Sequence, residues 1–286
     1  MQKVGSNMYV LYYSILLFHL GHFILYNIVC ISIMYKAKDF FMLRTIIISI
    51  FLTLFLILTL PILLVFKLLY PKYPSQIDHL SLAIAKWGLH MMVVLAGTEV
   101  IVIGEENVPK DRAVMYAGNH TSFFDIMLTY SRVPSLTGYV SKKSIEKFPG
   151  LNLWMKRVHC LFLDRDNIKE GLKTILEAIE KVKNGISIFI FPEGTRNKNP
   201  ETLLEFKEGS FKIAEKSGCP IIPVTLVNAS DIFEDHLPKV KKTRVVIEYG
   251  APIDMKELDK ETRKHVGAYV QGIIAETWKK NKKEYF

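Results

Sequence analysis

The first residues able to do chemistry stand at Gly118-Asn119-His120-Thr121-Ser122-Phe123-Phe124-Asp125, directly after the short apolar run Ala113–Ala117. Imidazole is the side chain best matched to taking a hydroxyl proton near neutral pH. A carboxylate five residues on, folded back by a turn, can hold the ring in one tautomer and stabilise the imidazolium, which is the His–Asp half of a triad without its serine. The same letters also fit a capping box, with Ser122 as N-cap and Asp125 supporting the first turn. Taken alone, the spacing allows both. A second group, Phe191-Pro192-Glu193-Gly194-Thr195-Arg196, follows the most apolar run of this part of the chain, Ile186–Phe191. Arg196 offers a planar fork for a phosphate and Gly194 lets backbone approach it closely. The plain alternative is a tight turn with Glu193 and Arg196 exposed. Leu161-Phe162-Leu163-Asp164-Arg165 ends in a charged pair that a surface ion pair would explain equally. Ile221-Ile222-Pro223-Val224 reads as a buried strand interrupted by proline, with an edge strand as the plain alternative.

These groups need a frame that brings distant segments together. From residue 99 onward, short β-rich runs alternate with helical stretches. The expected strands are Glu99–Ile103, Ala113–Ala117, Thr137–Val140, Cys160–Leu163, Ile186–Phe191, Ile221–Val227 and Thr243–Tyr249. The expected helices are Phe123–Ser131, Asn167–Lys183, Phe206–Ser217 and Met255–Lys280. Such alternation indicates an α/β domain on a largely parallel or mixed sheet, and a histidine just past a buried strand stands where such sheets place their working groups.

Ahead of this domain the chain changes character. Met8–Tyr35 contains no Asp, Glu, Lys or Arg, although it holds His19 and His22, and Thr45–Phe66 is likewise uncharged. Each reaches the roughly 20 residues needed to cross the hydrocarbon core of a bilayer, and neither has the flanks of a cleaved signal peptide. A basic loop (Lys36, Lys38, Arg44) lies between them, and it and the basic domain beyond residue 70 both favour the cytoplasmic side. Two full spans cannot satisfy both, so either Pro61 breaks the second run into a re-entrant hairpin or the charge bias is overridden. Ser75–Leu95 reads as an interfacial helix capping the domain. The division is thus a membrane region at 1–70, with apolar segments at about 8–35 and 45–66, followed by an α/β domain at 71–286. Lys and Arg total 37 against 28 Asp and Glu, a formal charge of +9, which beside apolar segments suits an anionic lipid surface. Three cysteines, Cys30, Cys160 and Cys219, have no paired spacing and so form neither a disulfide framework nor a Cys-rich metal site.

Taken together and in order, the four motifs resemble those of the phospholipid/glycerol acyltransferase family over roughly residues 76–270. His120 and Asp125 match its His-x4-Asp motif. Phe162-Leu163-Asp164-Arg165 and Ile221–Val224 match its second and fourth, and Phe191–Arg196 matches its Phe-Pro-Glu-Gly-Thr-Arg motif residue for residue. That last form looks like the 1-acylglycerol-3-phosphate branch more than the glycerol-3-phosphate one. His159 is a departure, standing where the family usually has glycine. The resemblance implies a glycerol-phosphate-acyltransferase-like mixed sheet flanked by helices and preceded by N-terminal membrane helices. It implies that His120 deprotonates an acceptor hydroxyl, oriented by Asp125, and that the oxygen attacks the thioester of acyl-CoA or acyl-carrier protein directly. Glu193, Gly194, Thr195 and Arg196 would form the phosphoglycerol site, with Lys142 and Arg165 as further ligands. No metal or organic cofactor is implied. The expected partners are membrane lipids and the acyl donor, and the expected location is the cell membrane with the site at its cytoplasmic face.

Other classes find less support. The chain has no Gly-x-Ser-x-Gly, no His-Glu-x-x-His and no paired Cys/His ligands, so a hydrolase lacks its signature. It has no Walker or Rossmann glycine pattern, and its basic charge has no aromatic-studded nucleic-acid motif beside it. His19 and His22 share a helix face without a third ligand. A related acyltransferase using glycerol-3-phosphate or another lysolipid shares the same machinery. A non-catalytic membrane-binding protein explains the charge and the apolar runs but not the conjunction of motifs.

Overall fold

The computed structural model describes residues 42–286. The apolar segment 8–35, with His19, His22 and Cys30, and the loop residues Lys36 and Lys38 lie outside the described residues.

Helix α1 (Leu43–Leu69) is built almost wholly of Ile, Leu, Phe and Thr, and at 1.5 Å per residue it is about 40 Å long. Most of its large residues, including Leu43, Ile50, Leu54, Leu58, Val65 and Leu68, face outward, while Ile48, Leu56, Thr59 and Phe66 are buried. Pro61 lies inside the helix and does not end it, so of the two alternatives the break at Pro61 is absent. A proline in an apolar helix frees one carbonyl, and neighbouring helices and hydroxyls can absorb that cost. Helix α2 (Pro74–Ala96) returns antiparallel against α1 after a turn at 70–73 and ends on Gly97 in the left-handed region. Both helices are long and apolar enough to cross a membrane. They are nonetheless built into the α/β domain. Phe55 of α1 packs near Trp87 and Trp154, and the Trp154 indole N–H donates to Thr59 Oγ1 at 2.8 Å. Ile48 and Leu56 share one hydrophobic core with the sheet.

The sheet contains β1 (Glu99–Ile103), β2 (Met115–Gly118), β3 (Thr137–Lys142), β4 (Leu161–Leu163), β5 (Ser187–Ile190), β6 (Ile221–Val227) and β7 (Arg244–Tyr249), in the spatial order β1-β7-β6-β2-β5-β3-β4. The run β6-β2-β5-β3-β4 is parallel throughout, β7 is antiparallel to β6, and β1 runs with β7. The fold is therefore a mixed α/β sheet. Both faces are covered, as a parallel sheet requires. Tyr116, Phe189, Ile222 and Val224 meet α2 and helix α3 (Phe124–Tyr130) on one side. Met115, Ile188, Ile190 and Ile221 meet helices α5 (Ile168–Lys183), α6 (Lys212–Ser217) and α8 (Val266–Tyr285) on the other. The alternation follows the period of two along each strand.

Several expectations are refined. Helix α4 (Leu151–Arg157) has no counterpart among the expected helices; it is a short helix bearing Trp154. The stretch 206–217 is a 3-10 turn, Glu208–Phe211, leading into α6. The C-terminal stretch begins later than expected, as α7 (Lys260–Lys264) capped by Asp259 and then α8. Pro223 is not on an edge strand, because β6 lies inside the sheet and all its residues are buried. Its missing N–H falls where the β7 side of the ladder lapses, between Gly250, which donates to Pro223 O, and Ile253, which pairs with Ile221. Asp164 pairs with Lys143 at 3.3 Å rather than with the adjacent Arg165.

His159 takes φ +63°, the left-handed region where glycine is the natural occupant. Its ring is held by Asp78 of α2, Nε2 lying 3.3 Å from Oδ1, and Arg157 pairs with the same carboxylate while stacking on Tyr70. Burial lowers the His159 pKa, with Asp78 opposing that shift. The backbone beside it is unusually close: a Cβ on Gly138 would meet His159 O at 2.2 Å. Gly138→Ala is accordingly expected to destabilise the protein by about 3 kcal/mol or to force β3 and β4 apart. Urea unfolding in detergent checks this, and an unchanged midpoint would refute it.

Candidate active site

The parallel strands bring their C-terminal ends to one edge of the sheet, where β2 delivers His120 and β5 delivers the Phe191–Arg196 loop. Asn119 pins the first of these, since its side-chain amide donates to Leu226 O at 2.9 Å and its carbonyl accepts Leu226 N–H at 2.8 Å. The chain then turns sharply into α3. Asp125, wholly buried in the first turn of α3, places Oδ2 2.8 Å from His120 Nδ1 and accepts the N–H groups of Thr121 and Ser122 at 2.8 Å each. Ser122 Oγ in turn accepts Phe124 N–H at 2.9 Å. A single carboxylate oxygen therefore both organises the turn and contacts the ring, while the residue flanking α3 is Phe123 rather than the expected N-cap Ser122. With Oδ2 accepting from Nδ1–H, the imidazole lone pair is on Nε2. The ring lies flat on Phe191, with centroids 4.1 Å apart and 16° between planes, and is mostly enclosed by protein.

Glu193 does not face outward as a phosphate-site residue would. It is 3% exposed, and its two oxygens accept backbone N–H groups, Oε1 from His120 at 2.7 Å and Oε2 from Leu204 at 3.0 Å. His120 O in turn accepts Asn197 N–H at 2.7 Å. Glu193 thus fastens the β5 loop to the His120 backbone. Burial pushes its carboxyl up to about 7, against the lowering effect of the two N–H donors. A carboxyl whose pKa is higher folded than unfolded loses stability as pH rises from its ordinary value near 4.5 to about 7. Across that window this is worth roughly 3 kcal/mol. Glu193→Gln cannot titrate, so its Tm relative to the parent is expected to become more favourable between pH 5 and pH 8. A difference in Tm that stays constant with pH would disprove this.

Gly194 adopts φ +73°, and a Cβ there would also meet Lys207 Nζ at 2.9 Å. The conformation is what calls for glycine, since the lysine tip is the end of a flexible side chain and can move aside. Thr195 is exposed, and Arg196 is half-buried with its guanidinium 3.6 Å above the Phe123 ring. Arg196 Nη1 donates to Glu234 Oε1 at 2.9 Å. The structure therefore brings His120, Asp125, Glu193, Gly194 and Arg196 into one connected cluster. Lys142 and Arg165 occupy the neighbouring ends of β3 and β4 as exposed cations at the same sheet edge, and neither enters that cluster's hydrogen bonds. Asn119, Asn197 and Glu234 join this cluster without a role assigned to them by the motifs, and Phe191, the first residue of its motif, gains one as the platform under the His120 ring. Asn119 adjoins the histidine, and that adjacency is its one signal. Glu234 carries no local signal, because its partners lie 38 to 112 residues away.

A cavity of about 370 Å³ lies away from His120, lined by Tyr116, Phe189, Tyr249, Val133, Lys110 and Arg132. It is joined to the histidine by an aromatic row. Tyr116 stacks on Phe189 at 5.4 Å, Phe189 meets Phe191 at 5.0 Å, and Phe191 carries the His120 ring. Among the described residues no group of His, Cys, Asp and Glu is arranged to hold a metal ion.

Residues 99–227 match the family model described as Acyltransferase. The 1-acyl-sn-glycerol-3-phosphate acyltransferase of Saccharomyces cerevisiae is 32% identical over 192 residues, covering 66% of this chain and 63% of that protein. The enzyme of that name from Borreliella burgdorferi is 32% identical over 63% of this chain and 72% of its own length. The one from Haemophilus influenzae is 30% identical over 71% of this chain and 82% of its own. Among solved structures, the 1-acyl-sn-glycerophosphate acyltransferase of Thermotoga maritima superposes with a TM-score of 0.72 at 26% identity, covering 84% of this chain and 95% of that one.

Proposed function

We infer the reaction from the family to which this chain belongs, the acyltransferases: it transfers a fatty acyl group from a thioester donor to the sn-2 hydroxyl of 1-acylglycerol-3-phosphate, forming phosphatidic acid. The observation that carries the reading is the His120–Asp125 pair at 2.8 Å, set beside the Arg196 loop by a shared network of backbone hydrogen bonds. Relatives bearing that enzyme name cover most of the chain, which supports the acceptor.

The proposed steps use groups already in place. Nε2 of His120 takes the proton of the acceptor hydroxyl, and Asp125 stabilises the imidazolium that results. The oxygen adds to the thioester carbonyl carbon, the C–S bond breaks, and the thiolate leaves with the proton from His120. No acyl-enzyme forms, because a thioester is already activated and needs no protein nucleophile. No metal or organic cofactor enters the scheme. Positioned base catalysis contributes about 10² to 10⁴ in rate, and holding two substrates together contributes much of the rest. Arg196 binds the acceptor phosphate, for which a planar, permanently charged fork is well suited. Gly194 keeps the approach clear, and Lys142 and Arg165 add positive potential along the same edge. Glu193 is assigned to positioning His120 rather than to the ligand.

Acceptor and product are membrane lipids, so the outward apolar face of α1 is placed in the bilayer, with the site at its cytoplasmic surface. The test is transfer by purified, detergent-solubilised protein given 1-acylglycerol-3-phosphate or glycerol-3-phosphate, each with an acyl-CoA or an acyl-carrier protein. Phosphatidic acid from the lysolipid is the expected product. Transfer only to another acceptor would keep the mechanism and replace the substrate. The absence of transfer with every pair, from folded protein, would leave a membrane-binding protein as the better reading.

A further inference from the structure

The geometry points to Glu234 as a positioning residue that sets both halves of the active site, holding Arg196 in its phosphate-binding direction and bracing the turn that carries His120. The inference rests on Arg196 being the ligand of the acceptor phosphate.

Glu234 lies in a 3-10 turn, Glu234–His236, in the long connection between β6 and β7. Its side chain is largely enclosed. Oε1 accepts from Arg196 Nη1 at 2.9 Å and from Phe123 N–H at 2.8 Å, while Oε2 accepts from Ser122 Oγ at 2.6 Å. The acidic group therefore joins the loop after β5 to the turn before α3. Arg196 is pinned from two directions, by this carboxylate and by the Phe123 ring 3.6 Å below its guanidinium. A free arginine side chain on an exposed loop carries rotamer entropy that phosphate binding would otherwise have to remove. Using one edge of the guanidinium for Glu234 leaves the remaining N–H groups for a ligand.

The connection bearing Glu234 is itself fastened. Asp231 gathers His236 Nε2 at 2.7 Å, Lys241 Nζ at 2.9 Å and Thr243 Oγ1 at 3.2 Å, and Ser230 Oγ donates to Asp235 at 2.8 Å. The same loop is tied to the first turn of α1, where Thr45 Oγ1 donates to Pro238 O at 3.0 Å and accepts Val240 N–H at 2.9 Å. Glu234 is thus held by the apolar helix on one side and holds the catalytic turn on the other. A surface ion pair formed by chance would not need such a scaffold.

The two tasks separate by substitution. Glu234→Gln keeps a carbonyl for Phe123 N–H and places an amide NH2 that can donate to Ser122 Oγ, but removes the negative charge facing Arg196, whereas Glu234→Ala removes everything. Kinetics would be run on the full chain in detergent, varying 1-acylglycerol-3-phosphate and acyl donor separately. For Glu234→Gln the expected result is an acceptor KM raised about tenfold, a donor KM unchanged and kcat within about threefold of the parent. Glu234→Ala should add a fall in kcat of about tenfold, as the turn before α3 loses its brace. An unchanged acceptor KM in Glu234→Gln would overturn the assignment, as would a loss of rate with both KM values intact, the mark of a merely structural role. Should Glu234→Ala not fold, Glu234→Gln alone decides on the same criteria. If the parent protein forms no phosphatidic acid, the reaction reading fails and this assignment with it. If the parent is active and Glu234→Gln matches it, only the assignment fails.

Discussion

Replacing His120 by alanine is expected to lower kcat for phosphatidic acid formation by about 10² to 10⁴, the usual range for loss of a positioned base. The acceptor KM should move little, because on the proposed reading the phosphate is held by Arg196, whose side chain rests on Glu234 and Phe123 rather than on the imidazole ring. Stability should change modestly. The ring stacks on Phe191 at 4.1 Å but hydrogen-bonds through its side chain only to Asp125, and its backbone contacts to Glu193 and Asn197 survive the substitution. The measurement is single-acceptor kinetics beside a vesicle-sedimentation assay of the same preparations. Variant protein that still binds membranes and has lost transfer would exclude a non-catalytic binding protein. Residual activity within about tenfold of the parent would remove His120 from the role of base.

The second large effect concerns Asp125, and here the choice of substitution decides what is learned. Asp125 Oδ2 serves three donors at once, His120 Nδ1 and the N–H groups of Thr121 and Ser122. Asp125→Asn can keep an oxygen in that place, so the turn survives while the charge facing the imidazolium is gone. A fall in kcat of about 10² or more is expected with little loss of folding stability. Asp125→Ala strips the acceptor from two buried N–H groups as well, which should cost a further 2–4 kcal/mol or so in unfolding free energy. Thermal unfolding and kcat, measured together on both variants, separate the two roles. Asn at this position with half of the parental kcat or more would show that the carboxylate only caps the turn.

Each of these outcomes depends on a turn of a few residues, and short turns are where the chain itself says most. The His120–Asp125 spacing, the Phe191–Arg196 motif and the seven β-rich runs all correspond to features of the structure, because each depends on contacts within a few residues or on a strand's period of two. The apolar run at 45–66 likewise forms a long helix, since its composition leaves it no other way to satisfy its backbone in an apolar setting.

Other matters rest on neighbours that are remote in the chain. Glu193 reads as an exposed turn residue or a ligand until β2 is placed beside β5, whereupon His120 and Leu204 N–H groups claim both its oxygens. Pro223 signals an edge strand when only its missing donor is considered. In the fold it is central, because β7 departs from the ladder at that very position. Pro61 signals a break, yet α1 continues through it as one helix, packed by its neighbours α2 and α4. Glu234 has no signal at all. Its role exists only because the β6–β7 connection is pinned to α1 and so carries one carboxylate to Arg196 and Ser122. Local residue order thus determined which groups could act and the elements that bear them. The order of strands in the sheet, a property of the whole packed chain, decided which of those groups meet and which carboxylate holds the others in place.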